Sequence, residues 1–472
     1  MKRRLMATMA AASVAAVGLV AGPASAAAPG SGGPGSDGPS TSQAQSLRTA
    51  LRNGTLVRTA GKTNVCAAHR LRCQAEMLTM SKRSNLPIRQ SRASTIGPMT
   101  VAPPIGYGAK ELQTAYGLTS ASSRTGTIVV IGAGAYPTLE SDLAIYRSAY
   151  HLPSCTKANG CFKQVNYRGG APYKPATGDD NQFGEEQIAV ETALDVDMAS
   201  AACPKCHIIS MQVPLQDGFY GTTKQTHNAI LHFATGVATA KKLGAAAVSI
   251  SYGYPTDSYS DKGTVAALMN QPGMAVVSSS GDDGFLADEG QWPQSLRTVT
   301  SAGGTSLYVD KTTKRGYREV AWNGAGSGCT QDLKAAVGQP SSVSKVCGGH
   351  RAASDISAVA DPYSGVAVYD SYAPFSGMPY GFIVVGGTSA SSPFLAGLYA
   401  RAPRNRAVVG PNTVYAASAS AFHDVTIGTN AGVGLCRALG YRNNLCDSAK
   451  GWDGPTGLGT PAGLKPFTAA TR

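Results

Sequence analysis

From residue 105 onward, short apolar runs alternate with stretches of helical spacing. Tyr107–Leu118 reads as a short helix ending near a glycine, and Thr125–Ile131 ends in a continuous apolar run closed by Gly132. Such a run marks a strand buried on both faces. Helical spacing follows at Leu139–Tyr150, Gln187–Ala202, Thr223–Leu243 and Thr264–Asn270. Strand patterns fall at His207–Val213, Ala246–Ser251 and Met274–Ser279. A last apolar run, Phe382–Val385, precedes two glycines and a helical segment, Ala390–Arg401, with Pro393 in its first turn. Strands alternating with helices predict an α/β fold, a doubly wound and mainly parallel sheet with helices on both faces. In such folds ligands gather at the carboxyl ends of the strands.

The chain before residue 105 has a different texture. Lys2, Arg3 and Arg4 precede an apolar run from Leu5 to Gly22, and Ala24-Ser25-Ala26 follows. This predicts a secretory signal peptide over 1–26 and a secreted, extracellular protein. No other stretch is long and apolar enough to span a membrane, so no membrane association is expected after its removal. Residues 27–45 are rich in Gly, Ser, Pro and Ala; residues 46–102 are basic, with weak helical patterning near Ala67–Met80 and a linker over Arg89–Ala102. Most of the formal net charge of +13 sits before residue 103, where residues 27–102 set ten Lys/Arg against Asp37 and Glu76. The body of the chain has no dense basic patch, which argues against nucleic acid as a partner.

The ten cysteines fall as near neighbours, 66/73, 155/161, 203/206, 329/347 and 436/446, and five local disulfides are the simplest framework. Cys203-Pro204-Lys205-Cys206 is either a redox pair or a structural bridge; it follows a helix, whereas redox pairs of the thioredoxin type precede one.

Candidate chemistry converges on Gly386-Gly387-Thr388-Ser389-Ala390-Ser391-Ser392-Pro393. Ser389 stands at a strand-to-helix corner, near the positive end of a helix dipole. It is either a nucleophile or a helix cap. Glu191 and Asp195 are four residues apart on a mostly apolar helix, so both carboxylates share one face. Surface acids are the commonest alternative, but the apolar neighbours favour burial, which raises a carboxyl pKa. Asp282 follows a strand in Ser279-Ser280-Gly281-Asp282-Asp283-Gly284, a position open to a turn former, a metal ligand or a catalytic group.

The Gly-Thr-Ser-x-x-x-Pro motif resembles the nucleophile motif of subtilisins and of sedolisins, the acid-acting serine-carboxyl peptidases. None of the seven histidines precedes a glycine, so the His-Gly motif of a subtilisin is missing. The Glu-x-x-x-Asp pair and the later Asp match the sedolisins. The resemblance covers residues 103–472 and implies a subtilisin-like peptidase domain that hydrolyses peptides or proteins and acts as a monomer. It implies Ser389 as nucleophile, Glu191 as base, Asp195 as its support and Asp282 as oxyanion donor. Ser249-Ile250-Ser251-Tyr252-Gly253 resembles the substrate-lining strand, which assigns Ser251, Tyr252 and Gly253 to substrate binding. His423–Gly428 and Gly451–Gly459 resemble the family's calcium site and imply the side chains of Asp424 and Asp453 with the carbonyls of Val425 and Gly451. Ala449 stands where the family prefers glycine. Two glycine-rich turns would be the plainer reading of those segments. Residues 27–102 do not resemble the long folded pro-domain of the family. They are expected to form a short propeptide and linker of a zymogen, drawn by charge to an acidic mouth and removed near residues 90–104. A neutral, histidine-based protease and a catalytically dead binding protein on the same scaffold are the alternatives.

Overall fold

The computed structural model describes residues 60–64, 73–80, 106–118, 125–219, 221–286, 290–372, 381–403, 407–431 and 435–468, all within the unit spanning 38–472. The signal-peptide, linker and 90–104 readings lie outside these residues, as does Cys66.

Two short strands, β1 (Ala60–Asn64) and β2 (Glu76–Met80), pair antiparallel. The helical patterning at Ala67–Met80 is therefore wrong for its final residues. Pairing with β1 on one side and with a later strand on the other overrides weak local preference. Helix α1 (Ala109–Ala115) leads into β3 (Thr127–Ala133), then α2 (Leu139–Ala149) and β4 (Phe162–Asn166). Helix α3 (Asp179–Ala202) precedes β5 (His207–Val213), and α4 (Thr223–Lys242) precedes β6 (Ala247–Ile250). Then come α5 (Gly263–Met269), β7 (Ala275–Ser279), β8 (Thr300–Val309) and β9 (Tyr317–Ala321). Nearer the carboxyl end lie β10 (Ile356–Val359), β11 (Val366–Asp370), β12 (Gly381–Gly386) and α6 (Thr388–Arg401).

The central eight-stranded sheet runs β9-β8-β7-β6-β3-β5-β4, with β10 also pairing β8. Every pairing in it is parallel except β8 with the edge strand β9. All residues of β6 and β7 are buried, so both faces of the sheet are covered, as the unbroken apolar runs require. Strand β12 lies outside this sheet, in a four-stranded antiparallel sheet ordered β1-β2-β12-β11. Disulfides join 155/161, 203/206, 329/347 and 436/446, and Cys73 is also disulfide-bonded. Cys203 and Cys206 are fully buried at the end of α3 and form a structural bridge.

Two buried helices carry the candidate residues. Every residue of α3 from Gln187 onward is buried, as is every residue of α6. The helices meet where Gly397 of α6 faces Ala202 of α3; a Cβ at 397 would lie 2.5 Å from the Ala202 Cβ. Only a residue without a side chain allows that approach. Gly397→Val should therefore force the helices apart and cost about 1–3 kcal/mol of stability, read as a lower denaturation midpoint.

Candidate active site

Ser389 is the second residue of α6, following Gly387 at φ +93°. Starting the helix at Thr388 puts Pro393 in its second turn rather than its first. Ser389 is not a helix cap: its buried hydroxyl makes no hydrogen bond among the described residues. Gly387 is needed twice over, for its positive φ and for space. A Cβ there would stand 2.6 Å from Asp282 Oδ2 and 2.8 Å from the Ala75 Cα.

The structure brings the four predicted catalytic side chains together. Glu191 and Asp195 are fully buried on α3. Asp195 Oδ1 accepts a 2.7 Å hydrogen bond from the Ser251 hydroxyl, while neither Glu191 carboxyl oxygen has a hydrogen-bond partner among the described residues. Burial raises the pKa of Glu191 well above the usual carboxyl range; the Asp195 charge adds to this, the nearby Ser389 hydroxyl opposes it, and Asp282 adds again. The Ser389 hydroxyl is thus close enough to influence Glu191 without closing a hydrogen bond. Burial also raises Asp195, against the Ser251 hydrogen bond.

Asp282 follows β7 and reaches the start of α6. Its Oδ1 accepts hydrogen bonds from the Thr388 backbone N–H at 2.8 Å and from the Thr388 hydroxyl at 2.9 Å. Its Oδ2 is buried without a hydrogen-bond partner among the described residues. Burial pushes the Asp282 pKa well up; Thr388 opposes this and the charge of Glu76 reinforces it. A carboxyl so placed keeps its proton at higher pH than a free one and can donate it. Asp197, the remaining acid of this helix turn, faces elsewhere and accepts the Tyr369 N–H at 3.0 Å.

The predicted substrate strand is in contact with the chain's own residues 73–77. The Ser251 carbonyl accepts the Gln74 N–H at 3.2 Å, and Cys73 and Tyr252 form an antiparallel bridge. The Gln74 carbonyl accepts the Ser389 N–H at 3.1 Å. Beyond it, Glu76 pairs with Gly386 and Met77 with Val385. The Tyr252 side chain turns inward, its hydroxyl accepting the Ala133 N–H at 3.3 Å, so this residue meets the groove through its backbone. Gly253 leaves room for the Gln74 side chain: a Cβ at 253 would collide with the Gln74 and Gln291 amides. Gln74 Nε2 donates to Gln291 Oε1 at 2.7 Å, and the Ser279 hydroxyl donates to Gln74 Oε1. Sequence reasoning missed Gln74 and Gln291, which carry no motif, and gave Ser279 no role of its own within the Ser279–Gly284 segment; only long-range pairing brings the three together. Charge does not hold this stretch in place, since the described residues 73–77 carry Glu76 and no cation.

Of the residues read as a calcium site, Asp424 meets Gly451 and lies near enough to Asp453 for its charge to act there. Gly451 N–H donates to both Asp424 oxygens at 3.2 and 3.1 Å. Asp453 is fully buried and accepts from Ala449 N–H at 3.0 Å and from the Thr456 N–H and hydroxyl at 2.9 and 2.8 Å. Burial raises Asp453 to about 7, its hydrogen bonds oppose this, and the Asp424 charge adds to it. Val425 is buried beside Asp424. Among the described residues no cluster of three or more His, Cys, Asp or Glu has metal-binding geometry.

No family model matches the chain. It is 28% identical over 305 residues to kumamolisin from a Bacillus species, covering 58% of this chain and 50% of that protein. It is 28% identical over 439 residues to sedolisin from a Pseudomonas species, covering 85% of this chain and 64% of that protein. The chain thus spans less than two thirds of the length of either relative. Among solved structures it superimposes on Pseudomonas sedolisin, a serine-carboxyl proteinase complexed with pseudo-iodotyrostatin, with a TM-score of 0.55 at 22% identity, over 76% of this chain and 95% of that one. That likeness shows the subtilisin-like fold. In sequence the chain is thus similar to kumamolisin and sedolisin, and in fold to sedolisin.

The raised carboxyls make stability depend on pH with a definite sign. A carboxyl whose folded pKa exceeds its unfolded value stabilises fully below the unfolded value, about 4, and loses that contribution as pH rises through the folded one. Thermal unfolding of Ser389→Ala, which cannot form an acyl-enzyme, should show a midpoint that falls from about pH 4 toward neutrality. Glu191→Gln with Asp195→Asn should flatten that fall.

Proposed function

We propose that the chain is a secreted, acid-acting serine-carboxyl peptidase that hydrolyses peptide bonds through a Ser389 acyl-enzyme. The observation that carries this reading is the Ser389 hydroxyl beside an otherwise unpartnered, buried Glu191 carboxyl. Ser389 Oγ attacks the peptide carbonyl as its proton passes to Glu191. Asp195, oriented by Ser251, shares negative charge with Glu191 and raises its basicity. The developing oxyanion is met by the Ser389 N–H and by the proton on Asp282 Oδ2. Glu191 then returns its proton to the leaving amine, and water resolves the acyl-enzyme by the reverse sequence. The buried Glu191 takes the place that a histidine would hold in a neutral protease. A catalytically dead binding protein would have no need of a partner-free serine facing a base, and labelling by an acyl-enzyme-forming inhibitor separates the two readings.

The same reading includes one structural calcium ion, held by the side chains of Asp424 and Asp453 and the carbonyls of Val425 and Gly451, with the Ala449 carbonyl as a further candidate ligand. The donor set fits a hard cation, which takes carboxylate and carbonyl oxygens, and two carboxyls close enough for Asp424 to raise Asp453 gain from a shared positive charge. The ion would tie the C-terminal segment to the body. Chelation or Asp453→Ala should lower the unfolding temperature, and elemental analysis should find about one calcium per chain, the count of this reading. An unchanged melting curve with no bound metal removes the ion from the reading.

Activity should follow an acidic bell. Glu191 must lose its proton and Asp282 must keep one, and an unperturbed carboxyl titrates near about pH 4. Ser389→Ala and Glu191→Ala should abolish turnover with folding intact. Losing an oxyanion donor costs about 3–4 kcal/mol, so Asp282→Ala should slow cleavage several-hundredfold. Asp282→Asn keeps a donor and should retain more activity with a broader alkaline limb. Maximal activity at mildly alkaline pH, or activity surviving Glu191→Ala, would falsify the assignment.

A further inference from the structure

Residues 73–77 cross the candidate site as a peptide substrate would. On the amino side of Gln74, the antiparallel bridge to Tyr252 and the Gln74 N–H to the Ser251 carbonyl continue the end of β6. On the carboxyl side, Glu76 and Met77 pair antiparallel with the end of β12. Between these two sets of main-chain bonds, one carbonyl meets the nucleophile: the Gln74 oxygen accepts the Ser389 N–H at 3.1 Å. The Gln74 oxygen, the Ala75 Cα and Asp282 Oδ2 all crowd the same face of Gly387. The peptide bond set against the Ser389 hydroxyl is therefore Gln74–Ala75.

The side chain on the acyl side of that bond enters a polar pocket. Gln74 is buried, and its amide finds one donor and one acceptor, the Ser279 hydroxyl and Gln291 Oε1. Gly253 and Gly281 supply the open walls. Ser279 is fully buried, at the end of β7, and the short strand carrying Gln291 is fixed by pairing of Gln291–Trp292 with Tyr254–Pro255. A leucine of similar length would leave the Ser279 hydroxyl and the Gln291 carbonyl facing hydrocarbon, the situation in which a polar pocket rejects a ligand most strongly.

We propose that this pocket selects glutamine, so that the enzyme prefers peptides with a glutamine carboxamide on the acyl side of the scissile bond, and that its own Gln74–Ala75 bond is such a substrate. This rests on the peptidase reading above. In the self-directed reaction, Ser389 Oγ adds to the Gln74 carbonyl carbon as its proton moves to Glu191. The bond to the Ala75 nitrogen breaks, that nitrogen takes the proton from Glu191, and water releases Gln74 as a free carboxyl and regenerates the serine. The new amino terminus is Ala75, upstream of the junction near residues 90–104 expected from the sequence.

The test uses the full chain and two quenched peptides that differ only in carrying Gln or Leu before the cut. The Gln peptide should have the higher kcat/KM by at least about tenfold, and Gln291→Leu should bring the ratio toward one. Amino-terminal sequencing of the self-digested wild type should find Ala75, and Ser389→Ala should remain uncut there. Equal rates on the two peptides, or a ratio that Gln291→Leu leaves unmoved, overturns the proposal while the peptidase reading stands. Failure to cut either peptide or any unfolded protein defeats the peptidase reading itself. A readout free of turnover compares amide hydrogen exchange at residues 73–77 in Ser389→Ala with and without Gln74→Leu. Exchange should quicken at least about tenfold on losing the amide; unchanged exchange shows that the pocket does not hold the side chain.

Discussion

Two fully buried carboxyls, Glu191 and Asp195, and a third, Asp282, whose Oδ2 is buried, with no cation hydrogen-bonded to them among the described residues, are the constraint on which this structure turns. Glu191, Asp195 and Asp282 each have a pKa raised first by burial, and Glu191 is raised further by its neighbours' charges. Ionised together in so dry a place they would repel and lose their hydration. The fold answers with protons and neutral hydrogen-bond donors: Ser251 toward Asp195, and the N–H and hydroxyl of Thr388 toward Asp282. The hydrogen bonds favour the charged forms and the burial favours the neutral ones. Burial and hydrogen bonding thus pull the proton balance of these groups in opposite directions.

Holding that set requires a scaffold that will not yield. Glu191 and Asp195 are on the buried part of one helix and Ser389 on another, with Gly397 setting how closely the two cross. Asp282 and Ser251 come from the ends of adjacent parallel strands, so the sheet register fixes their separation from the helices. A site divided among four segments far apart in sequence depends on backbone positions that a packed interior transmits with little slack.

Much of this was legible in the chain. Apolar runs without alternation located β3, β5, β6 and β7, because strands covered on both faces admit few polar residues. The four-residue spacing of Glu191 and Asp195, inside an apolar helix, announced buried acids. What escaped had weaker local signals. Strand β4 contains Lys163, Gln164 and Asn166, as a sheet edge permits, and was not seen. Strands β8 to β11 follow in a stretch rich in Gly and Ser with no clear period. The stretch ending at Met80 looked helical because spacing within one segment cannot reveal a partner strand some three hundred residues later. The basic charge of residues 27–102 suggested docking by electrostatic attraction, yet the described contact is made by main-chain hydrogen bonds and an uncharged glutamine.

That difference changes how the cleft segment bears on the site. Glu76 brings a negative charge toward Asp282 and helps to keep its proton in place. A basic residue there would have done the opposite, favouring the ionised carboxylate that repels an oxyanion. While residues 73–77 lie in the groove, their own Glu76 thus favours the protonated form of the proposed oxyanion donor. Were Glu76 to leave the groove, one of the influences raising Asp282 would go with it, and burial against the Thr388 hydrogen bonds would be left to set the proton. The segment is in this sense a more favourable occupant than its charge-blind shape implies. A free peptide with an acidic residue two places after the cut would reproduce the effect, and one with a lysine there would reverse it.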